Sequence, residues 1–172
     1  QRQWGPVPKL PLVEAYKRSD KQITFALIAG PCSVESAQQI DKTAAHVAQY
    51  GATHLRGGLF RAGTFPSNSF GPINESIINT YFHVAKTHKL KSVCEILDFD
   101  LQSRLGIVSH ADCLQIGARQ MQNYPLLTAI GECAGRHNKT VFLKRHPGCT
   151  IFEWLGAAER ILKAANGHCD LW

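Results

Sequence analysis

Long apolar runs are missing from this 172-residue chain: none approaches the roughly 20 residues of a membrane-spanning helix, and the amino terminus lacks the basic-then-apolar layout of a secretion signal. A membrane protein is excluded, and a cytoplasmic one is expected. Charge is also scarce, at 19% of residues against 44% hydrophobic, which excludes a disordered tail or a fibre and leaves one compact domain with a real core. No C-x-x-C pair occurs among Cys32, Cys94, Cys113, Cys133, Cys149 and Cys169, so zinc ribbons and disulfide scaffolds fit poorly and reduced thiols are expected. Cys94 in SVCEIL and Cys113 in ADCLQI read as buried packing. There is no long basic run and no alternation of basic with stacking aromatic residues, so nucleic acid is not an expected partner.

What the chain does have is an excess of positive charge. Nineteen Lys and Arg against thirteen Asp and Glu give a formal +6, which favours anionic partners such as phosphorylated metabolites. From residue 24 onward short β-rich runs alternate with helical stretches: ITFALIAG, THLRGG, KSVCEIL, DCLQIG and TVFLK, separated by apolar three-and-four spacing over 36–50, 74–88, 98–106, 120–133 and 151–165. That alternation predicts an α/β fold with a parallel sheet. Ser36 before the first helix, Gly51 after it and Asn166-Gly167 after the last agree with those boundaries. Residues 1–23, with Pro6, Pro8 and Pro11, read as an N-terminal extension, and residues 24–172 as the folded domain.

About five strand-helix units are counted, with a sixth strand beginning near His168, whereas a closed (β/α) barrel of eight units takes about 250 residues. The pattern fits either a smaller doubly wound sheet or the leading part of a barrel. In both, the carboxyl ends of the strands share one face, so the polar segments after each strand should converge: Gly30-Pro-Cys-Ser-Val-Glu35, Leu55-Arg-Gly-Gly58, Gln115-Ile-Gly-Ala-Arg119 and Leu143-Lys-Arg145. Arg56, Arg119 and Lys144 would then bring three cations to one cleft, which repel unless a polyanion sits between them. A phosphate is the natural guest, with Gly57, Gly58 and Gly117 letting backbone N–H groups approach it. Cys32, after Pro31 at a strand end, suits a metal-bound or nucleophilic thiolate as well as a packed thiol; no H-x-x-x-H pair stands near it.

AGPCSVES at 29–36, LRGG at 55–58, QIGARQMQN at 115–123, FLKR at 142–145 and EWLGAAERI at 153–161 together resemble the metal-dependent 3-deoxy-7-phosphoheptulonate synthases of the shikimate pathway, the first step of aromatic amino acid biosynthesis. The resemblance runs in order from about residue 26 to 165. It implies a TIM-type (β/α) barrel, incomplete over this chain, that condenses phosphoenolpyruvate with erythrose 4-phosphate. It implies a divalent metal of the Mn, Fe, Co or Zn class with Cys32 as a ligand. Arg56, Ala118 through its N–H, Arg119 and Lys144 are implied as the phosphoenolpyruvate clamp, and Lys144, Arg61 and Glu95 as catalytic positions, Glu95 orienting the attacking water.

The sequence also departs from the family. The Lys-Pro-Arg-Thr segment expected after LRGG reads Arg61-Ala62-Gly63-Thr64, replacing an ammonium by a planar fork and removing a side chain, and His146 stands where the family has glycine. The family's remaining metal ligands, a histidine, a glutamate and an aspartate, fall beyond Trp172, so this chain is expected to be incomplete for catalysis and to form a homo-oligomer or meet a completing partner. The alternative is a catalytically inactive paralogue acting as a phosphate-binding, regulatory or partner-docking module.

Overall fold

The computed structural model describes residues 26–60 and 74–172. The expected N-terminal extension and the Arg61-to-Thr64 segment lie outside those residues. Six short strands, β1 (Ile28–Ala29), β2 (His54–Gly57), β3 (Lys91–Glu95), β4 (Cys113–Ile116), β5 (Thr140–Leu143) and β6 (Asp170–Leu171), form one sheet. All pairings are parallel, and the spatial order follows the chain without a break. A doubly wound sheet reverses its order at a switch point. This one never reverses, so its winding is that of a barrel, and among the described residues the wall is open between β1 and β6.

Among the described residues six helices connect the strands: α1 (Ala37–Gln49), α2 (Glu75–Thr87), α3 (Phe99–Arg104), α4 (Ile107–His110), α5 (Tyr124–His137) and α6 (Ile151–Ala164). Side chains of Ser36, Asn74, Asp98, Asn123 and Thr150 each accept a backbone N–H in the first turn, supplying partners that a helix start otherwise lacks. At α6 Thr150 and Glu153 exchange these bonds reciprocally, which holds the exposed Glu153 carboxyl below its ordinary range.

Two helices differ from the sequence pattern. The stretch 98–106 holds α3, and a short helix that the pattern does not show, α4, follows Gly106, which takes a left-handed conformation (φ 73°). The helix expected over 120–133 runs instead from Tyr124 to His137: residues Ala118–Gln120 form a 3₁₀ turn, Asn123 caps, and Pro125 is confined to the first turn, where its missing N–H costs nothing.

One sheet face packs under the helices. Leu55, Cys94, Leu114, Ile116, Val141 and Leu143 meet Ile40, Ile78, Leu127, Ile130 and Ile161 in a single buried cluster. Burial pushes the Cys94 thiol up to about 12 and the Cys113 thiol up to about 11, so both are packed and inert. Tyr81 of α2, wholly buried, fastens β2 to β3: its hydroxyl contacts the carbonyls of Leu55 at 2.7 Å and Val93 at 3.0 Å and accepts the Val93 N–H at 3.1 Å. Tyr81→Phe leaves those groups short of a partner and is expected to lower unfolding free energy by about 1–3 kcal/mol, read by urea denaturation.

Candidate functional site

Strand register decides which side chains meet on the other, concave face. Cα partners are His54 with Lys91, Arg56 with Val93, Val93 with Cys113, Glu95 with Gln115 and Gln115 with Phe142. Residues level with one another in a sheet point the same way, and alternate residues share a face. His54, Arg56, Val93, Glu95, Cys113, Gln115 and Phe142 therefore line the lumen. Its lower part is apolar, with Val93, Cys113 and Phe142 forming a cluster separate from the main core. His54, Phe142 and Trp172 add an aromatic floor with ring centroids 5.4–6.2 Å apart.

Above that floor stands the polar tier. Arg56 is level with Val93, so its guanidinium reaches diagonally upward: Nη1 donates to the Pro31 carbonyl at 3.1 Å and Nη2 pairs with Glu95 Oε2 at 3.4 Å. Both partners remain about a quarter exposed (23% and 24%), so the pair orients the two groups more than it stabilises the fold.

The loops after β1 and β2 interlock beside it. Val34 N donates to Gly58 O at 3.0 Å, and a Cβ on Gly58 would lie 2.1 Å from the Cys32 carbonyl oxygen. Gly117 at the end of β4 leaves the space that Glu95 Oε1 fills, 2.2 Å from where a Cβ would stand. Gly57 is likewise pressed by Tyr81. The room these glycines provide is thus taken by the protein's own carbonyl, carboxylate and aromatic ring.

Cys32 is exposed on the β1 loop. Ala118 and Arg119 occupy the 3₁₀ turn that follows β4, with Arg119 exposed. Lys144, also exposed, continues β5, its N–H donating to Ile116 O at 3.1 Å. Cys32, Arg56, Glu95, Ala118, Arg119 and Lys144 therefore all belong to the carboxyl-end rim, and Arg56 and Glu95 touch. Arg61 lies outside the described residues. Arg145 is drawn into its own turn, its guanidinium bonded to the carbonyls of His146 and Cys149. His146 also faces its own loop, its Nδ1 accepting the Gly148 N–H at 3.0 Å. Arg56, Arg119 and Lys144 thus bring three cationic side chains to the rim, where Glu95 pairs with Arg56.

For a metal the donors are too few. No group of three His, Cys, Asp or Glu side chains able to hold an ion occurs among the described residues, and Cys32 by itself does not fit one. Two further features of the site escape sequence patterning: the Pro31 carbonyl that holds Arg56, and the burial of the Gln115 side chain within β4. In the sequence Gln115 opens the polar segment that runs to Arg119, but nothing there marks its carboxamide as buried.

Two expectations follow. Burial first, then the neighbouring Lys91 charge, lower the pKa of His54, with Asp112 opposing. The folded state then binds this proton less readily than the unfolded chain, so the contribution is present above the ordinary value of about 6.5 and is lost as pH falls towards the lower folded value. Between roughly pH 7 and pH 5 the urea midpoint of the wild type should fall more than that of His54→Gln. In alkylation followed by mass spectrometry, Cys32 should react in the folded protein, whereas Cys94 and Cys113 should react only on unfolding.

Residues 16–171 match the sequence model described as the DAHP synthetase I family. Over 142 residues the chain is 37% identical to the phospho-2-dehydro-3-deoxyheptonate aldolase of Thermotoga maritima, an alignment covering 83% of this chain and 40% of that relative. The crystal structure of the T. maritima aldolase (DAHP synthase) superposes with a TM-score of 0.73 at 36% identity, over 86% of this chain and 41% of that one. A truncated form of 3-deoxy-D-arabino-heptulosonate 7-phosphate synthase from the same organism gives 0.68 at 35% identity, over 86% and 50% respectively. The chain thus spans 40% of the length of the curated relative it matches.

Proposed function

The chain belongs to the DAHP synthetase I family, and from that premise we propose that its rim binds phosphoenolpyruvate for condensation with erythrose 4-phosphate, as a 3-deoxy-7-phosphoheptulonate synthase. The observation that carries this reading is Arg56, held between the Pro31 carbonyl and Glu95, on the rim that also bears Arg119 and Lys144.

In this reading Arg56, Arg119 and Lys144 clamp the phosphate and carboxylate, with the Ala118 N–H as an additional donor. Such a clamp fixes the enol carbon against the aldehyde of the sugar phosphate, and its donors are already in place before charge develops. A carbon–carbon bond forms as the aldehyde oxygen gains a proton; water directed by Glu95 adds at the phosphate-bearing carbon, and inorganic phosphate departs. Lys144 and Arg61 are assigned to the reacting groups. Cys32 is the thiol offered to a divalent metal of the Mn, Fe, Co or Zn class, but the described residues do not complete its coordination, and no step here is routed through it.

A homo-oligomer or a completing partner belongs to the same proposal, supported by the edges of β1 and β6, which pair with no further strand among the described residues. So do a cytoplasmic location and the division into an extension (1–23) and a synthase domain (24–172). Among the described residues no helix is long and apolar enough to cross a membrane. The second reading, a phosphate-binding module without turnover, is favoured by Arg61 and Gly63 standing in place of the family's lysine and arginine.

Calorimetric titration with phosphoenolpyruvate, with and without a divalent metal, tests the proposal. One site per chain is expected, and Arg56→Gln and Lys144→Gln should each weaken it by about 10–100-fold, the cost of losing a charge-assisted bond of about 1.5–3 kcal/mol. Absence of binding, or affinities that these variants leave unchanged, would overturn it. Binding without turnover on adding erythrose 4-phosphate would select the second reading.

A further inference from the structure

The carboxamide of Gln115 has no role in the account so far, yet it stands level with Glu95, the carboxylate that pairs with Arg56. Gln115 is 9% exposed, and less than 1 Å² of its Nε2 is accessible, with no hydrogen-bond acceptor among the described residues. A buried donor without a partner costs about 1–3 kcal/mol, and burial this complete keeps bulk water from satisfying it. The acceptor nearest in the sheet register is on the adjacent strand: Glu95, whose Cα pairs with that of Gln115 and whose side chain shares the lumen face. That carboxylate is turned elsewhere, with Oε2 on Arg56 at 3.4 Å and Oε1 against Gly117.

The long ion pair and the orphaned donor make sense as two halves of an exchange. A polyanion that engages the Arg56 guanidinium competes directly with Glu95 for Nη2. It also places like charge beside the carboxylate, which then needs another donor to remain in the site. We propose that Gln115 is a positioning residue that takes over Glu95 when the anion arrives: Nε2–H donates to the carboxylate as Arg56 releases it. No covalent bond changes and no proton is transferred. Glu95 moves from a cation needed by the substrate to a neutral donor that the substrate does not use, and stays oriented towards the reacting carbon. This rests on the reading of the rim as an anion clamp.

The exchange can be tested without any ligand, because Arg56→Met removes the guanidinium while keeping most of the stem. Gln115→Leu alone should leave the urea midpoint unchanged or raise it, since it deletes an unsatisfied donor. In the Arg56→Met background the same change should lower the midpoint, and in Arg56→Met/Glu95→Leu, which leaves no acceptor at position 95, that penalty should vanish. An effect of Gln115→Leu that is equal in all three backgrounds would overturn the proposal and leave Gln115 as packing alone. The spectroscopic signature is the Gln115 side-chain amide in ¹⁵N–¹H spectra. One of its protons should move downfield in Arg56→Met, and in the wild type at saturating phosphoenolpyruvate; an amide that stays in place while phosphoenolpyruvate binds would contradict the exchange. Should phosphoenolpyruvate fail to bind the wild type, the clamp reading falls, while the ligand-free cycle still decides whether Gln115 holds Glu95.

Discussion

In-register parallel pairing of β2 through β5 is the constraint from which the remaining geometry follows. It sets Arg56 level with Val93 and Glu95 level with Gln115, so the guanidinium must reach across one strand and up one tier to find its carboxylate. A slip of one residue in β2 would turn Arg56 under the helices and Leu55 into the lumen, exchanging a hydrated charge for a buried one. Tyr81, hydrogen-bonded to both β2 and β3 from beneath, opposes such a slip at the edge where the site is built. The helix-facing cluster thus fixes the arrangement of groups that never touch it.

That arrangement is layered by polarity. An aromatic and apolar floor of His54, Val93, Cys113, Phe142 and Trp172 lies under the tier of Arg56, Glu95 and Gln115, with the loops carrying Cys32, Arg119 and Lys144 around the rim. Apolar walls lower the local dielectric, so the rim charges act on a bound anion more strongly than they would in water. Glu95 tempers the cation cluster in the absence of ligand and holds Arg56 in an extended pose. The 3.4 Å separation and partial exposure of that pair leave it open to competition from an added anion.

Much of this was legible in the sequence because the alternation of β-rich runs with apolar three-and-four spacing reports burial directly, and strand ends in parallel sheets all point one way. The rim assignments of Arg56, Arg119 and Lys144 needed nothing more than that rule. The choice between a doubly wound sheet and a barrel was not legible from pattern, since both alternate strand and helix; it appears only in the unbroken strand order. The start of α5 was obscured because Met121 is buried although it precedes the helix, so its apolar signal extended the pattern past the turn and cap. The use of the glycines was hidden as well: a missing Cβ marks close approach without saying whether a ligand or, as with Glu95 at Gly117, another side chain approaches. Gln115 was hidden because its environment depends on register, a long-range property.

A second group of cations stands away from the rim. At the opposite, amino ends of β3 and β4, Lys86, Lys89 and Lys91 line a cavity with His110 and Asp112. Mapping the backbone amide shifts of the intact chain during titration with phosphoenolpyruvate tests the central claim most directly. The account predicts saturable changes at Gly58, Gly117, Ala118 and Lys144, with Lys86 to Ser92 undisturbed. Changes confined to the lysine hollow would contradict it.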